Sequence, residues 1–319
     1  EDDLMERNDW LAWRRKGIGA SDIAGILGIS PWASPWSVWA DKTGATDDDD
    51  DPTDAMTHGL WAEHAIIPWF EQETDLYVGH IQHQAEGAEP WMRATIDGAA
   101  FEHVSDGGDI TNAVCLVECK ATGDSPAKWE QGIPPMYAAQ ATWQAIVTGV
   151  DLVRFAVLHV PFGRITFRIY DFAPDAEDRE LVEKAARTFW HVHVLTGTPP
   201  PADAHQATTE AIRARYDLTD PDDILFADPA TSGFCHLLRA AKDDLAHAKA
   251  KVTELENTIK ARMADCAVLS DGDRVLATWK AQDDTRLDVD RLRTERPELW
   301  AEYARTKTIR KFLLKTPKD

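Results

Sequence analysis

The run Val114-Cys115-Leu116-Val117-Glu118-Cys119-Lys120 constrains the fold more than any other stretch of the chain. Alternation at period two sets Val114, Leu116, Glu118 and Lys120 on one face of a strand. A carboxylate and an ammonium therefore emerge side by side at the end of an apolar strand. Burying charge there is costly unless it is paired or binds a metal. Upstream, Trp91 to Asp97 reads as a second strand, ending on Asp97-Gly98. Each piece alone has a plainer reading. Asp97-Gly98 is also a hairpin-turn signal, and Glu-x-Lys on a strand is usually a cross-strand salt bridge.

With 319 residues the chain can hold one large or two modest domains, and its 44% hydrophobic content is that of a globular protein. No run of about 18 apolar residues occurs, so no membrane span is expected. The opening Glu-Asp-Asp-Leu-Met-Glu-Arg lacks the basic and apolar regions of a signal peptide. Four cysteines, at 115, 119, 235 and 266, predict reduced thiols in a cytosolic protein. A zinc site at Cys115 and Cys119 would need a second ligand pair, and none follows. The net charge of −21 argues against a coat of nucleic acid through a broad basic surface. It does not exclude a nuclease, because remote charge is screened within about 8 Å at physiological salt.

Along the chain, residues 8–29 read as helix, turn and helix. Asn8-Asp9 would cap the first helix, Gly17-Ile18-Gly19 break it and Ser21 cap the second. A short helix carries Trp36, Val38 and Trp39. Asp47 to Asp51 is an acidic run typical of a solvated loop. Thr57 to Asp75 reads as a helix with Leu60, Glu63, Ile67 and Phe70 on one stripe, kinked or broken at Pro68. Pro134-Pro135 opens a helix ending at Gly149, with Tyr137, Gln140 and Gln144 on one side. Leu152 to Val160 and Arg164 to Phe172 predict a hairpin, and a helix follows from about Ala176 to Leu195. Pro199-Pro200-Pro201 marks the expected boundary between a core at 1–198 and an extension at 199–319. The extension should hold a long helix from about Ser232 to Asp265 with a near-heptad stripe, a hairpin around Asp271-Gly272, a helix near Val289 to Ala304 and a basic strand at Thr308 to Lys315.

The order helix carboxylate, strand Asp, strand Glu-x-Lys, then a helix with Tyr137 and Gln140 is far more specific than any one piece. It matches the metal-dependent nuclease arrangement written PD-(D/E)xK, with Ile96 where the pattern has Pro. Phosphodiester hydrolysis needs a water deprotonated near neutral pH and charge stabilised on the phosphate, and divalent metal supplies both. Asp97 and Glu118 offer carboxylates, with the Cys119 backbone carbonyl as a third oxygen. Lys120 would orient or help deprotonate the attacking water. Glu63 would complete the ligand set or hold a second metal. His191 and His193, two residues apart on a helix, do not face each other and read as structural. No GxxxxGK[ST] phosphate loop and no Ser nucleophile elbow occur.

Arg14-Arg15-Lys16-Gly17-Ile18-Gly19-Ala20-Ser21-Asp22-Ile23-Ala24-Gly25-Ile26-Leu27-Gly28 resembles the opening motif of YqaJ-type viral recombinases, relatives of the lambda and RecE alkaline exonucleases. The segments at 34–44 and His58 to Glu63, Glu118-Cys119-Lys120, and Ile133 to Gln140 extend the resemblance over about residues 7–160. In the C-terminal third it is loose, carried by Pro297-Glu298-Leu299 and Arg310-Lys311-Phe312. The resemblance implies an α/β (α+β) restriction-endonuclease-like core, a mixed central sheet flanked by helices, with a helical C-terminal extension. It implies a magnesium-dependent 5′→3′ exonuclease on linear double-stranded DNA, with manganese as a substitute ion. The product would be a 3′ single-stranded overhang for a single-strand annealing partner in phage-type recombination. Arg14 and Ser21 would bind the 5′-terminal phosphate, Tyr137 would lie on the DNA side, and Gln140 would reach the site. The implied assembly is a homo-oligomeric ring, a trimer, in the cytoplasm of a bacterial host. Two other readings fit the same residues: a non-catalytic DNA-end-binding or annealing module, and a repair endonuclease of the same fold.

Overall fold

The computed structural model describes residues 2–44, 54–216, 223–306 and 309–315, so the acidic run at 47–51 lies outside the described residues. Two compact units form, Glu1–Tyr216 and Asp217–Asp319. The first carries, in order, α1 (Asp2–Arg15), α2 (Ala20–Ile26), α3 (Pro35–Lys42), α4 (Asp54–Thr74), β1 (Tyr77–Gly79), β2 (His83–Glu86), β3 (Arg93–Ile96) and β4 (Gly98–Phe101). Then follow β5 (Cys115–Thr122), α5 (Pro126–Trp129), α6 (Pro135–Thr148), β6 (Val153–His159), β7 (Thr166–Phe172), α7 (Ala176–Thr188) and α8 (Gln206–Arg215).

The central sheet is mixed, in the order β1-β4-β5-β6-β7. Only β5 and β6 run parallel. A parallel neighbour needs a crossover, and α5 with α6 supplies it. Helices cover both faces of β5. Leu116 packs with Ala141 and Ala145 of α6 and with Phe155. Val117 and Cys119 pack on the other face with Ile66 and Phe70 of α4. Alternation thus sends Glu118 towards α6, the side that bears Gln140 and Gln144. The outer face of α6 is buried as well, where Trp143 meets Ile23 of α2, Trp39 of α3 and Phe189 after α7. The ends of α6 follow the expected chemistry, with Pro135 in its first turn and Gly149 left-handed at φ 77° after its last.

Several expectations are corrected. Asn8-Asp9 lies inside α1, which starts at Asp2. Ser21 lies inside α2, whose N-cap is Gly19, and the Asp22 carboxylate accepts the Gly19 N–H at 2.8 Å. Gly17 does mark the break, because a Cβ there would come within 2.3 Å of the Trp91 carbonyl oxygen. Helix α4 runs through Pro68, flanked by the buried anchors Ile66 and Phe70. The strand expected over Trp91 to Asp97 shortens to β3, which pairs with β2 in a separate two-stranded sheet. The first unit continues past the three prolines to Tyr216, since α8 buries Ala211 and its Thr208 hydroxyl donates to the Ser34 hydroxyl at 2.7 Å.

The second unit contains α9 (Pro229–Met263), the hairpin β8 (Val268–Asp271) and β9 (Arg274–Thr278), α10 (Val289–Glu295) and α11 (Pro297–Tyr303). One expected helix over Val289 to Ala304 is therefore two, divided at Arg296 because Pro297 disfavours helical backbone in the residue before it. Residues 309–315 form no strand and join no sheet. No helix among the described residues is long and apolar enough to cross a membrane.

Candidate active site

Asp97 stands where the chain leaves β3 and enters β4. Its two neighbours belong to different sheets: Ile96 pairs with His83, and Gly98 pairs with Val117. A Cβ at Gly98 would come within 2.6 Å of Val78 Cγ1 on β1, so glycine lets the start of β4 sit against that side chain. Strand β4 starts level with Val117, which leaves the edge of β5 beyond that point without a partner. Asp97 fills the place of one. Its Oδ2 accepts the Cys119 N–H at 2.8 Å. The N–H and C=O of one residue leave an extended strand on the same side, so the Cys119 carbonyl faces Asp97 too.

Glu118 is 1% exposed, and both of its oxygens are engaged. Oε1 accepts from Lys120 Nζ in a close ion pair and from Gln140 Nε2 at 2.6 Å. Oε2 accepts from Gln144 Nε2 at 2.7 Å. The Lys120 ammonium also lies 5.0 Å from the centre of the Tyr137 ring. From α4, Glu63 turns towards the same place, its Oε2 accepting from Gln82 Nε2 at 2.6 Å. Glu63, Asp97, Glu118, Lys120 and Gln140 line one cleft of about 440 Å³, joined by His58.

The electrostatics of this cleft follow from like charges held out of water. Burial, and then the charge of Glu118, push the Asp97 carboxyl well above the usual carboxylate range, with Lys120 opposing. Burial likewise raises Glu63, against the Gln82 hydrogen bond. For Lys120 burial acts downward, but Glu118 and Asp97 outweigh it and leave the ammonium raised. Among the described residues no three His, Cys, Asp or Glu side chains form a closed cation cage. Magnesium does not need one: it binds through one or two carboxylates and keeps its remaining positions for water and substrate phosphate. Two buried carboxylates, one of them pushed towards its neutral form, gain from a cation placed between them. The donors are oxygens, the type that magnesium prefers.

Arg14 and Ser21 gather elsewhere. Arg14 donates to the Ser21 hydroxyl at 3.2 Å and to Asp22 Oδ1 at 3.0 Å. Lys42 reaches Asp22 Oδ2 at 2.6 Å and the Arg14 carbonyl at 3.2 Å. Burial alone would raise the Asp22 carboxyl, but Lys42 and Arg14 outweigh it and lower it to about 2. Asp22 in turn raises Arg14. Asp41 adds a second carboxylate, 3.7 Å from Lys42, with Arg15 at 3.6 Å from it. The cluster does not line the carboxylate cleft, yet a short chain of contacts joins the two. Arg14 lies over the Trp10 ring at 5.5 Å, and Trp10 Nε1 donates to Thr95 Oγ1 at 3.3 Å. The Thr95 carbonyl accepts from Gln144 at 3.4 Å, and Gln144 holds Glu118.

The expected residues Glu63, Asp97, Glu118, Cys119, Lys120, Tyr137 and Gln140 are thus brought together, and Arg14 and Ser21 form a second cluster. Sequence reasoning missed the roles of Gln82, Gln144, Asp22 and Lys42. A signal existed for Gln144, one helical turn after Gln140. None existed for Gln82, which reaches Glu63 from the turn between β1 and β2, where its own N–H donates to the Asp97 carbonyl at 3.3 Å.

Residues 9–151 match the family model described as the YqaJ-like viral recombinase domain. The uncharacterized protein YqaJ of Bacillus subtilis (strain 168) is 28% identical over 315 residues, spanning 98% of this chain and 95% of that protein. Among solved structures, LHK-Exo in complex with dAMP is 16% identical and covers 60% of this chain and 94% of that one, with a TM-score of 0.46. A second structure of this alkaline exonuclease, from Laribacter hongkongensis, has the same identity and coverage and a TM-score of 0.45. A phage-related exonuclease from Haemophilus somnus 129PT is 11% identical, covers 56% and 96% of the two chains and has a TM-score of 0.38.

Proposed function

We propose that this chain, which carries a YqaJ-like viral recombinase domain over residues 9–151, is a magnesium-dependent exonuclease that degrades linear double-stranded DNA in the 5′→3′ direction. The observation that carries the reading is the convergence of Asp97, Glu118 and Lys120, with Glu63 and Gln140, in one cleft at the open edge of β5. When bound, a magnesium ion supplies an acidified water and positive charge at the scissile phosphate, held by Asp97, Glu118 and the Cys119 carbonyl with Glu63 beside them. The chain's own residues do the rest. Gln140 and Gln144 fix both oxygens of Glu118, so the carboxylate does not reorganise during the reaction. The Cys119 N–H fixes Asp97. Lys120, held against Glu118, donates to the attacking water and orients it. Tyr137, whose ring faces the Lys120 ammonium, borders the DNA path.

Polarity comes from the second cluster. A guanidinium offers a two-pronged fork to phosphate, and the Ser21 hydroxyl adds a donor. In this reading Arg14 and Ser21 seat the 5′-terminal phosphate while the strand end enters the cleft. The product, a 3′ single-stranded overhang, is the substrate of a single-strand annealing protein. The test compares three duplexes in magnesium: linear with 5′-phosphate, linear with 5′-hydroxyl, and covalently closed circular. The phosphorylated linear duplex should disappear fastest and the closed circle should survive. Digestion of the circle at a similar rate would replace the exonuclease with an endonuclease.

A further inference from the structure

Charge is divided unequally between the two units. Residues 1–216 hold 35 Asp and Glu against 16 Lys and Arg, whereas residues 217–319 hold 20 against 18. The first unit therefore carries nearly all of the net charge of −21. The end of the chain reverses the sign: residues 303–318 contain six Lys and Arg and no Asp or Glu. A basic run is most often a solvated face, but this one is interleaved with apolar groups that are also exposed. Arg305, Arg310, Lys311 and Lys315 are exposed. So are the Tyr303 and Phe312 side chains, at 76% and 74%. The last of these cations stands against α9, where Arg239 donates to the Lys315 carbonyl at 3.1 Å. Arg239, Lys242 and Lys315 line one pocket of about 250 Å³ with Leu314 and a single carboxylate, Asp243. The Arg239 Nε is buried and has no hydrogen-bond partner among the described residues. A buried donor among cations calls for an anionic acceptor.

We propose that the second unit binds single-stranded DNA along residues 303–318 and in the pocket of Arg239, Lys242 and Lys315. A phosphate in that pocket would satisfy the Arg239 donor, and the two ammonium groups would outweigh Asp243. Along the run, cations spaced every few residues meet successive phosphates, and the exposed rings of Tyr303 and Phe312 offer faces on which bases stack. The choice of strand follows from those rings. A duplex presents the same phosphates but hides the faces of its bases, so exposed aromatic side chains between cations favour a single strand. The excess of carboxylates on the first unit repels a polyanion, and the second unit supplies the attraction. On the exonuclease reading, the strand held here is the 3′ overhang that digestion leaves. The binding itself does not rest on that reading.

Fluorescence anisotropy on the full-length protein tests this in EDTA, which keeps the probe intact. The probes are a labelled oligothymidylate of about 20 nucleotides without a 5′-phosphate, and a hydroxyl-ended duplex of the same length. The triple variant Arg310→Gln, Lys311→Gln, Lys315→Gln removes three phosphate contacts. Its log–log salt slope for the oligothymidylate should be shallower by about 2, and its affinity at about 0.1 M salt lower by roughly a hundredfold. Phe312→Ala should weaken oligothymidylate binding by about tenfold and duplex binding much less. All four positions are exposed, so circular-dichroism spectra should match the wild type. A wild type that does not bind the oligothymidylate, an unchanged affinity and salt slope in the triple variant, or equal losses for single strand and duplex in Phe312→Ala would each overturn the proposal. Failure of the wild type to digest duplex in magnesium would instead remove the exonuclease reading and leave this binding in place.

Discussion

Gln144 donates through Nε2 to Oε2 of Glu118 at 2.7 Å, one helical turn beyond Gln140, which donates to Oε1 at 2.6 Å. One helix therefore orients both oxygens of a buried carboxylate. That helix is itself fixed by Trp143, whose indole N–H donates to the carbonyls of Ile18 at 3.1 Å and Arg93 at 2.9 Å. Residues that orient a metal ligand typically matter by about 10–100-fold. Gln144→Leu should lower the rate of duplex digestion in that range and leave the circular-dichroism spectrum unchanged. Full activity in this variant would remove Gln144 from the working site.

Asp97 weakens the metal-free fold. Burial and Glu118 raise its carboxyl above the unfolded value, so the folded chain binds that proton more tightly than the unfolded chain. The contribution of this one group is therefore most favourable below the unfolded value of about 3.9 and is lost as pH rises through the folded one. Asp97→Asn keeps an acceptor for the Cys119 N–H and removes the charge. It should raise the Tm of the metal-free protein at pH 7 and abolish the Tm gain on adding magnesium. A lower Tm without metal, or an intact magnesium response, would contradict the assignment.

Asp22 behaves in the opposite sense. Its carboxyl is lowered to about 2, so its contribution is fully present above the unfolded value of about 3.9 and is lost as pH falls from there towards 2. The shift corresponds to about 2 kcal/mol. Asp22→Asn should lower the urea midpoint at pH 7 and flatten its fall between pH 4 and 2. A wild-type acid profile in the variant would show that the carboxylate is not held as described.

Arg14→Gln keeps a donor for Asp22 but removes the fork. A charge-assisted contact of about 1.5 kcal/mol corresponds to roughly tenfold. The preference for 5′-phosphorylated over 5′-hydroxyl ends should fall by about that factor, with duplex affinity much less affected. An unchanged preference would move the phosphate seat to Arg15 or Lys16.

The local chemistry of the site was legible, and its assembly was not. Period-two alternation placed Glu118 and Lys120 on one face of β5, and the Pro135 and Gly149 punctuation bounded α6, because these signals depend on neighbouring residues alone. The position of Asp97 between two sheets was not legible. The partner of β3 is the polar stretch His83–Glu86, which carries no apolar alternation. Ser21 looked like a cap by type, but Asp22 does the capping, a choice set by Arg14 and Lys42 arriving from α1 and α3. Pro68 reads as a kink or a break, and the break does not occur: α4 continues through it between the buried Ile66 and Phe70. In each case a tertiary contact overrode a local rule.

The central claim is that Glu118 and its neighbours form a metal-dependent hydrolytic site. The most direct measurement follows a linear duplex labelled at one 5′ end, incubated with purified wild-type protein or Glu118→Gln, in magnesium or in EDTA. The account predicts release of labelled mononucleotide by the wild type in magnesium alone, and none by Glu118→Gln, whose folding is checked by circular dichroism. Equal digestion by Glu118→Gln, or by the wild type in EDTA, would contradict it.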